Sequence, residues 1–158
     1  MPVVLFHSEG LDLNVVEYRG PVTLAELEAL AAFQARNPRH MRRDCLNHVR
    51  PGAYFAAVDL RALDALFAHY RTLFAPMTFE IMRRSAWLCE SEAACKHVRH
   101  WLSGDTRRGM SSAVRQFDTL AEACDWLLLP EAQTGAVARR EGFVETASFD
   151  RGPSAPAR

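Results

Sequence analysis

The chain almost lacks lysine: of its 19 basic residues only Lys96 is one. Together with abundant alanine, this reads as the codon bias of a GC-rich bacterial genome and carries no chemistry. Net charge is lacking too, because 19 acidic residues balance the 19 basic ones at a pI near 7.0. No global field therefore draws in nucleic acid or an anionic membrane. No stretch approaches the roughly 18 consecutive apolar residues that a spanning helix needs. The opening MPVVLFHSEG lacks the basic start and long apolar run of a secretory leader. Cys45, Cys89, Cys95 and Cys124 are irregularly spaced, each inside an expected strand or helix. They read as small buried hydrophobes of a reducing compartment, not as a disulfide framework. The expectation is a soluble cytoplasmic protein.

Catalytic signatures are missing as well. No Gly-x-Gly-x-x-Gly, Walker-type loop or Gly-x-Ser-x-Gly elbow occurs. His97 and His100 are three apart on one expected helix, a spacing that can seat two metal ligands. The neighbouring Cys95, however, belongs to the inward stripe with Val98 and Trp101, so the histidines read as solvated. Cys45 and His48, three apart on a strand, point to opposite faces and cannot form a nucleophile–base pair. Asp59 reads as a helix cap, not a base. We therefore expect no catalytic residue, no metal site, no cofactor and no enzyme.

What the chain does have is a regular alternation of strands and helices. Its 158 residues, 49% apolar and 24% charged, suit one domain with a real core. The organising stretch is Asp44 to Phe74. Cys45 to Val49 suits a buried central strand, Arg50-Pro51-Gly52 ends it, and Ala53 to Val58 is an apolar connection. Leu60, Leu63, Leu66, Phe67, Tyr70 and Phe74 then recur at helical spacing behind Asp59. Before this unit, Val3–His7 and Leu13–Tyr18 flank the turn residues Ser8-Glu9-Gly10 and predict an antiparallel hairpin. Thr23-Leu24-Ala25-Glu26 is a capping box opening a helix that stops at Asn37-Pro38. The basic run Arg36, Arg39, His40, Arg42 and Arg43 reads as a solvated loop. Beyond the centre come a strand at Ser85–Cys89, a helix from Ser91, a strand at Ser112–Phe117, and a helix behind the second capping box at Thr119–Glu122. After Pro130 the pattern weakens. Residues 131–140 predict a helical turn or two, while 142–158 lose periodicity, so 131–158 is expected to be a partly disordered extension to a domain spanning 1–130.

This order resembles the SpoIIAA-like family, relatives of the STAS domain of anti-sigma-factor antagonists. The resemblance covers about residues 3 to 129. It rests on the hairpin leading to Gly20-Pro21-Val22-Thr23-Leu24-Ala25-Glu26-Leu27 and on the strand–loop–helix at 44–74. Its third part is the closing Val114-Arg115-Gln116-Phe117-Asp118-Thr119-Leu120-Ala121-Glu122-Ala123-Cys124-Asp125-Trp126-Leu127. It implies an α/β layered fold: a mixed, mostly parallel five-stranded sheet, an N-terminal hairpin and about four crossover helices. In the antagonists a serine after the central strand is phosphorylated to control partner binding. Here no serine or threonine occurs anywhere from Cys45 to Arg71, so that switch is not carried over.

The expected function is accordingly a small non-enzymatic module acting by contact with an unknown protein, itself included as a homodimer. The candidate surface, by family analogy, is Arg50, Tyr54, Phe55, Asp59 and Arg61. The alternative is a carrier or sensor of an apolar small molecule or lipid, with Tyr54, Phe55, Phe67, Tyr70, Phe74 and Trp87 around a cavity.

Overall fold

In a computed structural model, which describes residues 1–76, 83–103 and 112–150, the hairpin forms first. Strands β1 (Val3–Ser8) and β2 (Leu13–Tyr18) pair antiparallel, Val3 opposite Tyr18. A two-residue strand β3 (Pro21–Val22) precedes helix α1 (Leu24–Arg36). Glu26 reaches back to the Thr23 N–H at 2.6 Å, as its capping box predicts. After the one-turn helix α2 (Pro38–Met41) comes β4 (Asp44–Val49), flanked by β2 and by β6 (Arg83–Cys89), parallel to both. Between β4 and β6 lie the short β5 (Tyr54–Phe55) and the long α3 (Leu60–Phe74). Helix α4 (Glu92–Leu102) leads to β7 (Ser112–Phe117), and α5 (Leu120–Trp126), a 3₁₀ turn at Glu131–Gln133 and α6 (Thr134–Arg139) lead to β8 (Val144–Phe149). The main sheet runs β7-β6-β4-β2-β1-β8, and β3 and β5 make a separate parallel pair.

The two faces are covered according to the direction in which the chain steps. From β2 through β4 and β6 to β7 it moves steadily toward one edge, and α1, α3 and α4 pack on one face over Val16, Cys45, Val49 and Trp87. The last connection returns to the opposite edge, and its helices α5 and α6 pack on the other face over Leu13, Val15, Leu46 and Leu88. Right-handed crossovers require this exchange of faces when the stepping direction reverses.

The sheet has six strands where five were expected, and the reason lies in one bulge. Along β1, Leu5 pairs with Ala147 but Phe6 pairs with Glu145, so Thr146 is the extra residue. Val144, Ala147 and Phe149 share a face at spacings of three and two, which breaks the period-two alternation that marks a strand. Ala147 and Phe149 nevertheless pack on the core. The helices number six among the described residues: α1, α3, α4 and α5 lie where crossover helices were expected, α6 falls within the helical turn or two expected at 131–140, and the one-turn α2 is additional. The expected disorder of the chain end falls on residues 151–158, outside the described ones.

Candidate functional site

Strand β6 opens with two arginines, and alternation sends them to opposite faces. On the side of α5, Arg84 is fully engaged: its Nη2 and Nε donate to Asp44 Oδ2 at 2.6 and 3.0 Å, and its Nη1 donates to the Trp126 carbonyl. On the side of α1, α3 and α4, the one hydrogen-bond partner of Arg83 among the described residues is the Met41 sulfur, 3.4 Å from Nη1. A thioether is a weak acceptor for one of five guanidinium N–H groups.

Arg83 borders a cavity of about 100 Å³ between the sheet and these three helices. Leu27 and Leu30 of α1, Leu63, Leu66 and Phe67 of α3, and Val98 and Trp101 of α4 form its apolar roof. Its floor is the sheet, where Tyr18 stacks on Trp87 with ring centroids 5.8 Å apart. A polar seam crosses that floor: Asn47 Nδ2 donates to Ser85 Oγ at 3.0 Å and the Tyr18 hydroxyl approaches Asn47 Oδ1 at 3.5 Å. Between the helices above, the Tyr70 hydroxyl of α3 donates to Gln34 Oε1 of α1 at 3.2 Å. Burial pushes the Tyr18 and Tyr70 hydroxyls far above the usual phenol range and lifts the Cys45 thiol to about 11. All three stay protonated and act as hydrogen-bonding or apolar groups at neutral pH.

The pair β3–β5 closes one end. Tyr54 N–H donates to the Gly20 carbonyl at 2.9 Å and Ala56 N–H to the Val22 carbonyl at 2.8 Å. This hangs Phe55 over the cavity, against Tyr18 and the His97 ring, whose centroid is 5.2 Å away. His97 Nε2–H donates to the Val58 carbonyl at 2.7 Å, which leaves Nδ1 as a buried acceptor without a partner.

The expected docking residues are distributed over several roles. Phe55 is a cavity wall. Tyr54, beside it, is 46% exposed. Asp59 caps α3, its Oδ1 accepting Ala62 N–H at 2.7 Å, and Arg61 is exposed on the first turn. Arg50 turns to the carboxyl end of the parallel strands, 3.7 Å from Glu17. There Glu17, nearly buried, also receives Arg19 at 2.7 Å and Arg140 at 2.9 Å. Burial raises its pKa, but the hydrogen bond from Arg19 and the charges of Arg140 and Arg19 outweigh it and hold the carboxyl below its ordinary value. Arg140 Nη2 donates to His48 Nδ1 at 2.9 Å, so His48 carries its proton on Nε2 and gives it to Glu90 at 2.6 Å. Glu17, His48 and Arg140 hold one another in this second cluster, which makes it a clasp between β2, β4 and the end of α6.

Of the six aromatics proposed around a cavity, Phe55, Phe67, Tyr70 and Trp87 line it; Tyr54 and Phe74 do not. His97 and His100 are not simply solvated: the first bonds Val58 and the second pairs with Asp64 at 2.7 Å. Among the described residues no three His, Cys, Asp or Glu side chains converge as a metal site, and no helix is long and apolar enough to cross a membrane. Cys45 and Cys124 are buried and all four cysteines are unpaired. Tyr18, Gln34, Asn47, Arg83 and Ser85 escaped the sequence reading. One signal was present, since an Arg-Arg pair entering a strand must send one arginine toward the helices above Trp87.

No protein-family model, curated protein or solved structure matches the chain significantly, so the site is read from its own geometry.

Proposed function

We propose that the chain is a non-enzymatic binding module for a small, largely apolar molecule, held between the sheet and helices α1, α3 and α4. The frame is read as SpoIIAA-like, on the hairpin followed by parallel strands with helices between them. The observation that carries the function is the cavity. Unfilled apolar space of that size costs about 2 kcal/mol relative to a filled core. Changing Val98, which is buried and on its wall, to a larger residue would remove much of it. A chain selected only for packing has that route open. The polar seam of Asn47, Ser85 and Tyr18 supplies the few oriented groups that binding pockets carry among apolar walls.

The test is titration with benzyl alcohol, followed by the indole N–H resonances of Trp87 and Trp101. We expect saturable shifts at both in the native chain. Val98→Leu, which adds one methylene to the wall, should weaken binding about tenfold while leaving or slightly raising the melting temperature. Absence of saturable shifts at these indoles would end this reading.

A further inference from the structure

Given a small-molecule cavity, the unmatched arginine on its wall sets the class of ligand. We infer that Arg83 receives the head group of a monocarboxylic acid, whose apolar body is no larger than about a benzene ring. The inference rests on the reading above and narrows it.

Three observations converge. First, Arg83 and Arg84 are neighbours with opposite fates: Arg84 satisfies Asp44 with a two-nitrogen grip, whereas among the described residues the only hydrogen-bond acceptor that meets Arg83 is the Met41 sulfur. Second, among the described residues no aspartate or glutamate lines the cavity and Arg83 is the one guanidinium or ammonium that does. A single guanidinium matches the single charge of a carboxylate and offers it two parallel N–H bonds. A phosphate dianion would call for a second cation. Third, the charge of Arg83 reaches across the cavity. It opposes the effect of burial on Tyr18, Tyr70 and Cys45, and it adds to burial in lowering His40.

Size completes the identification. An apolar cavity of about 150 Å³ accepts benzene, so about 100 Å³ restricts the body of the ligand to a compact ring or short branched chain. Long-chain fatty acids do not fit that space. Beyond Arg83 the ligand meets Trp87, Trp101, Phe67, Leu66 and Val98, which favours a flat or branched apolar body over a sugar acid.

The experiment compares benzoate with benzyl alcohol on the native chain, Arg83→Met and Arg83→Lys, at pH 7.5, following the Trp87 and Trp101 indoles. In the native chain benzoate should bind about tenfold or more tighter than benzyl alcohol, the difference a charge-assisted hydrogen bond makes. Arg83→Met should abolish that preference and leave benzyl alcohol nearly unchanged, and Arg83→Lys should restore part of it. Equal binding of the two probes by the native chain overturns the inference while leaving the binding module standing. So does a benzoate preference that survives in Arg83→Met, or benzoate shifts that bypass both indoles. Failure of both probes at both indoles removes the module itself. The native-chain comparison decides even where Arg83→Met does not fold.

Discussion

His40 shows how one side chain links the cavity to the stability of the whole. It sits between α1 and β4, edge-on to Phe33, with a buried Nε2 that has no partner. Burial, then the charges of Arg83, His7 and Arg43, hold its pKa down to about 4 from 6.5. The folded chain thus binds fewer protons here than the unfolded chain. Its contribution is fully present above pH 6.5 and is lost progressively as the pH falls toward 4. His48 shifts in the same direction, by burial first and despite Glu90, so it adds to the same acid sensitivity. Urea midpoints should fall between pH 7.5 and pH 5. In His40→Phe that loss of stability should shrink by about 1–2 kcal/mol, with His48 contributing to the remainder. An unchanged pH slope in this variant would show that His40 titrates normally.

At the level of elements, α3 is the helix whose sequence and structure agree most closely. Asp59 caps it, and Leu63, Leu66, Phe67, Tyr70 and Phe74 are buried along one face. Asp59→Ala should cost about 1 kcal/mol and Asp59→Asn only part of that, read as a melting-temperature drop of about 2–4 °C for the alanine variant. Benzoate affinity should not change in either, since the carboxylate is occupied with the Ala62 N–H and lies off the cavity. The segments β1, β2, β4, α1 and α3 were legible because the strands are short apolar or β-branched runs, β2 and β4 being buried on both faces, while each helix buries a face whose period can be counted. The pair β3–β5 was not. Two residues have no period, and their pairing is decided by Gly20, which is 34 residues from Tyr54 and takes a positive φ of 51° to carry the chain off β2.

Across the whole molecule, β8 decides how the sheet ends. It covers β1, which would otherwise be an edge strand, and brings Phe149 against Phe33 of α1 with centroids 6.0 Å apart. A chain ending at Gly142 should expose the β1 edge to other copies. We expect it to elute as oligomers and to unfold at clearly lower urea than the full chain. Phe149→Ala, which keeps the strand, should lose about 2 kcal/mol and remain in the same association state as the parent. A truncated chain with unaltered elution and stability would mean that β8 is an appendage.

By itself the sequence determined the parallel strands, the helices that alternate with them and the capping residues, because burial and capping act over a few residues and leave a local pattern. It also determined that no familiar catalytic loop is present. Only the tertiary structure decided that Arg84 meets a carboxylate and Arg83 a thioether, that Asn47 and Ser85 meet on the floor of a cavity, and that Val144–Phe149 joins the sheet. Each of these depends on what a side chain or strand meets from far along the chain: Met41 for Arg83, β1 for β8. A lined void and a filled core use the same apolar residues at the same spacings, and the fit between distant surfaces alone distinguishes them.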